Sequence, residues 1–172
     1  MDNWEAETLN ISGIVDDSIV DGPGLRYTIF VQGCPHGCPE CHNPVTWDIR
    51  GGIPFDQAAK DELFEELKKD YVSGVTLSGG DPLHPDNREE TGRLIDEICD
   101  RFPGKTIWLY TGYDWEEICG LPCIRKVDVV VDGEFVAGLK DSSLRWKGSS
   151  NQRVIDVQRS LLTGAAVIHD RS

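Results

Sequence analysis

Three of the chain's six cysteines fall within the stretch Gly33–Asn43, GCPHGCPECHN, as Cys34, Cys38 and Cys41. Thiols spaced this closely on one loop are the donor set of a soft metal centre, and two kinds of centre compete for them. Zinc would take the three thiolates with His42 as a fourth ligand, a closed Cys3His set. Against zinc, structural sites usually pair two ligand hairpins distant in sequence, and His42 adjoins Cys41, which strains chelation by both. An iron–sulfur cluster suits a single loop better, with Gly33, Gly37, Pro35 and Pro39 letting the backbone curl around it. Three thiolates on a four-iron cube leave one iron uncapped, and an open metal position invites an exogenous ligand.

A second stretch with chemical potential is SGGD, Ser78–Asp81, which lies between an apolar run and a helical pattern. Its ordinary reading is a tight turn with Asp81 entering the helix. No Gly-Lys-Ser/Thr follows, so it is not a phosphate loop. After a strand, and in a chain with an open metal loop, small residues let backbone approach a ligand, and Asp81 can accept hydrogen bonds from a cationic amino group. Tyr110 and Thr111 end another strand and Asp132 the next; polar strand ends are site candidates in parallel α/β proteins, and equally turn residues. Ser149, Asn151 and Arg153 in GSSNQR form a polar loop that reads as a solvated turn or as a ligand or partner contact.

The other thiols and imidazoles carry less. Cys99 sits on an apolar helical stripe and reads as core. Cys119 and Cys123, in CGLPC, lack a second pair and read as structural. His36, His84 and His169 are isolated in sequence, and none receives a catalytic role.

The elements that must position these residues alternate in type. Tyr27–Val31 reads as a strand running directly into the cysteine loop, Val75–Ser78 as a short buried strand before SGGD. Thr106–Tyr110, Val127–Val131 and Ala165–His169 read as further strands. Phe55–Asp70 and Asn87–Phe102 carry helical stripes, and TGYDWEEI starts a short helix. Strands separated by helices indicate parallel βα units. Four to six fit, whereas a full eightfold barrel usually needs about 200 residues or more. The expected fold is therefore α/β, an open, partial barrel, with its site at the carboxyl ends of the strands.

Neither repeat nor long linker divides the 172 residues, so one domain over 1–172 is expected. The formal net charge of −13 argues against nonspecific binding to nucleic acid or anionic membrane. The start, MDNWEAETLN, shows no apolar signal-peptide core, and no run reaches the ~18–20 apolar residues of a membrane span. A cytoplasmic location is expected, where thiols stay reduced and clustered cysteines mean metal or redox chemistry.

The x3-x2 cysteine spacing resembles the radical S-adenosylmethionine (SAM) enzymes. Ile19–Asp48, IVDGPGLRYTIFVQGCPHGCPECHNPVTWD, looks like the start of the glycyl-radical-activating enzymes among them. TLSGGDPL (Thr76–Leu83), YTGYDWEEI (Tyr110–Ile118), VDVVVDGEF (Val127–Phe135) and KGSSNQRVIDV (Lys147–Val157) resemble the activating proteins of anaerobic ribonucleoside-triphosphate reductases. The likeness runs from about Ile14 to Val157.

The resemblance implies a radical SAM oxidoreductase with a partial (βα) barrel. Cys34, Cys38 and Cys41 would hold a 4Fe–4S cluster, and Gly79, Gly80 and Asp81 the methionine amino group of SAM. Tyr110, Thr111 and Asp132 are its further SAM candidates. That family usually places an aromatic residue before the third cysteine, stacking on adenine. Here Glu40 stands there, leaving the backbone of Glu40, Cys41 and His42 to meet the ring edge. It usually has Glu where Asp81 stands. The implied partners are the glycyl-radical subunit of the reductase and a flavodoxin- or ferredoxin-type electron donor. Rival readings are an activase of a formate-lyase type enzyme, a small-molecule radical SAM enzyme, and a zinc-stabilised interaction module.

Overall fold

Buried strand residues follow a two-residue period: Tyr27, Ile29 and Val31, then Val75 and Leu77, then Ile107 and Leu109. In the computed structural model, which describes residues 9–38 and 44–169, they share one face of a single open sheet. Its strands are β1 (Asn10–Ser18), β2 (Leu25–Val31), β3 (Ile53–Pro54), β4 (Val72–Gly79), β5 (Thr106–Tyr110), β6 (Val129–Asp132) and β7 (Arg153–Asp156). They lie in the order β3-β1-β2-β4-β5-β6-β7. Parallel pairing joins β2, β4, β5 and β6.

The flanking strands depart from the expected parallel βα units: β1 runs antiparallel to β2 and β3, and β7 antiparallel to β6. Connection length gives the reason. Only residues 19–24 separate β1 from β2, too few for the dozen or more that a parallel crossover needs. Between β6 and β7 the sole helical piece is one 3-10 turn, Ala137–Leu139. With no helix to pack on the sheet, the chain returns antiparallel. Residues 165–169, expected as a strand, make an isolated bridge, Ile168 to Ile155.

Helices α1 (Gln57–Leu67), α2 (Arg88–Arg101), α3 (Trp115–Ile118) and α4 (Val157–Thr163) contribute to one core on the first face. Leu63, Phe64 and Leu67 of α1 and Leu94, Ile95 and Ile98 of α2 supply most of the helical side, matching their sequence stripes. Cys99 and Cys119 pack partly buried against this core, and Cys123 lies within it, as their structural reading requires. None of the described helices is long and apolar enough to cross a membrane.

The second face is different in character. Trp108, Val129, Val131 and Val154 form a small cluster, over which Trp146 closes from the 140–152 segment. Beside it Arg26 is fully buried. Its guanidinium donates to the Thr76 and Thr106 hydroxyls at 2.9 and 2.8 Å, and to the carbonyls of Val75, Thr106 and Pro23 at 2.9, 2.8 and 3.3 Å. Burial lowers its pKa to about 10, although the negative charge of Asp128 opposes the shift. The DGPG turn, Asp21–Gly24, closes this pocket, with the Asp21 carbonyl accepting from Thr76 Oγ1 at 2.7 Å. DGPG therefore shapes the sheet's second face and stands apart from the cysteine loop.

Candidate metal centre

The cysteine loop leaves β2 and is fastened at once to the turn that leaves β4. Gly80 N donates to Val31 O, and Asp81 N to Gly33 O, each at 2.7 Å, continuing the β2–β4 ladder past its last paired residues. This closeness explains the two glycines of SGGD. Gly79 has φ +102°, a conformation side-chain-bearing residues rarely adopt, and a Cβ on it would lie 2.4 Å from Val31 N. A Cβ on Gly80 would lie 2.7 Å from Gly33 O and 2.8 Å from Thr46 O.

Beyond the turn opens a cleft of about 200 Å³ at the carboxyl ends of the parallel strands. Cys34 and Cys38 line it together with Gly79, Gly80, Tyr110 and Thr111. Six sequence-predicted residues thus share one cavity. Three others, Glu40, Cys41 and His42, lie outside the described residues. Two thiols lining one cleft with a glycine turn are a donor set suited to iron and sulfide. Among the described residues no group of three His, Cys, Asp or Glu side chains is placed to hold a metal ion.

Asp81 lies just behind the cleft wall and is fully buried. Its Oδ1 accepts from Leu83 N at 2.9 Å, the expected helix-entry turn. Its Oδ2 accepts from Thr111 Oγ1 and Gly112 N, both at 2.9 Å, and from His36 Nε2 at 2.6 Å. His36 Nδ1 faces Glu134 Oε2 at 3.1 Å. Burial alone would lower the His36 pKa, but the hydrogen bonds and charges of Asp81 and Glu134 outweigh it and raise the value above the ordinary imidazole range.

Asp132 is also buried, and its place is structural: it accepts from Trp115 N at 2.8 Å and from the Arg153 guanidinium at 2.6 Å. Arg153 reaches on to Glu116 at 2.8 Å, and its pKa is raised by these two carboxylates, Asp132 foremost. GSSNQR folds onto the loop after β6. Gln152 Oε1 accepts from Gly148 N and Ser149 N, its Nε2 donates to Gly133 O, and Asn151 Nδ2 donates to Glu134 O. Gly148 and Gln152 thereby become cleft-lining residues. His36, Glu134 and Gln152 were not legible as site residues, because each gains its role from partners brought together only by the fold.

The family described as a 4Fe-4S single cluster domain matches residues 20–155, which defines the chain as a single-cluster iron–sulfur protein. The zinc reading of the loop gives way accordingly. The chain is 44% identical over 146 residues to the anaerobic ribonucleoside-triphosphate reductase-activating protein of Enterobacteria phage T4, covering 85% of this chain and 93% of the phage protein. It is 46% identical over 140 residues to the protein of that name from Escherichia coli K12, covering 79% and 91%. The Vibrio cholerae protein is 39% identical over 138 residues, covering 78% and 89%. The chain belongs to the family of anaerobic ribonucleoside-triphosphate reductase-activating proteins.

Proposed function

We propose that the chain is a radical SAM activase that generates the glycyl radical on an anaerobic ribonucleoside-triphosphate reductase. The observation that carries this reading is the shared cleft, lined by Cys34 and Cys38, the Gly79–Gly80 turn, Tyr110 and Thr111. Cys41 completes the thiolate set. Bound there, a 4Fe–4S cluster with SAM would supply reductive cleavage of SAM and, through it, removal of a hydrogen atom from a glycine of the reductase.

The chain's own residues bind, orient and exclude water. Gly79 and Gly80 let backbone come close to the methionine part of SAM, and the buried negative charge of Asp81 sits behind them, favouring its amino group. Thr111 is held by Asp81 and lines the wall. Asp132 fixes the start of α3 and the loop carrying Gly133, so its influence on SAM passes through that loop. Glu40, Cys41 and His42 offer backbone to the adenine edge. The open sheet is one radical SAM domain spanning 1–172, a partial (βα) barrel whose open side admits a loop of the reductase. A flavodoxin- or ferredoxin-type donor supplies the electron, in the cytoplasm.

Anaerobic incubation with SAM, a reductant and the reductase, followed by electron paramagnetic resonance, tests the reading. An organic radical on the reductase, absent without SAM, is expected. SAM cleavage without that radical, while a formate-lyase type partner acquires one, would reassign the partner.

A further inference from the structure

His36 sits midway between two of the cluster thiols and lines the same cleft, with its two ring nitrogens directed at carboxylates. Its ring contacts loops from three other strands. After β4, Asp81 Oδ2 accepts from Nε2 at 2.6 Å. After β6, Glu134 Oε2 stands 3.1 Å from Nδ1. After β5, Tyr113 meets the ring edge-on with centroids 4.6 Å apart. Gly112 belongs to the same contact, because a Cβ there would lie 2.5 Å from the imidazole. The side chain is only 10% exposed. Glu134 is itself steadied through its carbonyl by Asn151.

We propose that His36 is a positioning residue for the iron–sulfur cluster: it pins the Cys34–Cys38 segment to the exits of β4, β5 and β6. A cysteine loop is long enough to hold iron in many shapes. Fixing its midpoint at two carboxylates restricts Cys34 and Cys38 to one spacing and one face of the cleft before any metal arrives, which is preorganisation of a ligand set. Neither Asp81 nor the fold depends on the ring alone. Without it Asp81 keeps the Thr111, Gly112 and Leu83 donors.

The inference rests on the cluster reading above, and its test separates the two. Wild type, His36→Ala, His36→Gln and Gly112→Ala are reconstituted anaerobically with iron and sulfide. For each, iron and sulfide per chain, the rate of iron loss to a ferrous chelator, and the melting temperature of the metal-free protein are measured. His36→Ala should release iron about tenfold faster or more, the ratio that ~1.4 kcal/mol represents, while its metal-free melting temperature stays close to wild type. His36→Gln, whose amide can still donate to Asp81, should recover part of the loss. Gly112→Ala keeps the histidine but pushes its ring aside, and its φ is not in the left-handed region, so it should fold and release iron as His36→Ala does. Iron release within twofold of wild type in both His36→Ala and Gly112→Ala would overturn the positioning role. Failure of wild type itself to take up iron and sulfide would instead overturn the cluster reading.

Discussion

Asp81→Asn changes one atom's identity and almost no volume, yet the hydrogen-bond geometry makes it a severe substitution. The carboxylate accepts from Leu83 N at Oδ1, and from His36, Thr111 and Gly112 at Oδ2. An amide has one accepting oxygen and one donating nitrogen. Turned with its oxygen towards the three donors, it sets its NH2 against Leu83 N–H; turned the other way, it opposes all three. The better orientation leaves one buried donor unpaired, roughly 1–3 kcal/mol. Removing the charge weakens the three remaining bonds towards neutral strength, together about another 1–2 kcal/mol, partly offset by easier burial of a neutral group. A net loss of about 2–4 kcal/mol lowers the melting temperature by roughly 4–16 °C in a chain of this size. Thermal unfolding of the metal-free protein by circular dichroism measures it. If the charge also favours SAM's amino group, SAM affinity of the reconstituted protein falls about 10- to 150-fold. Melting within a degree or so of wild type would refute the reasoning about the buried carboxylate, and unchanged SAM affinity would refute its electrostatic role.

Cys34→Ala and Cys38→Ala should each abolish SAM cleavage and deplete iron, whereas Cys99→Ala, which removes a partly buried thiol from the core's edge, should retain a full cluster; metal analysis decides. Arg26→Lys should cost about 2–4 kcal/mol in urea unfolding, because an ammonium cannot serve the two hydroxyls and three carbonyls that the guanidinium reaches. An unfolding midpoint equal to wild type would remove Arg26 as an organiser of the second face. Gly80→Ala should destabilise the metal-free protein by about 1–3 kcal/mol through its clash with Gly33 O and Thr46 O. Wild-type melting would mean that the backbones separate freely.

What could be read from the sequence divides along contact range. The stripes of α1 and α2 and the apolar runs of β2, β4 and β5 carry their own period, so those elements were legible. The flanking strands were not. β1 is exposed along much of its length, with burial falling on Ile11 and Ser18 rather than on an alternating set. β7 is a four-residue strand whose direction depends on a connection that lacks a long helix. The cysteine loop declared its donors through residue type and spacing alone. His36 gave no such signal, since its first partner lies 45 residues away. Asp132, read as a ligand contact from its strand-end position, meets Arg153 and the start of α3, neither of which a strand-end rule can reveal.

The four parallel strands leave the sheet through glycine: Gly33 after β2, Gly79 and Gly80 at the end of β4, Gly112 after β5 and Gly133 after β6. Two of them answer to one cause. Gly80 makes room for the backbone of the cysteine loop, and Gly112 for the His36 ring carried on that loop. Packing the loop directly onto the strand ends requires missing side chains there. The same crowding brings Asp81 out of water, where its charge is held by four donors from three segments. Loop, turn and carboxylate therefore stand or fall together. A substitution that loosens any one of them should be felt first in how firmly the cluster is held, before the sheet beneath begins to unfold.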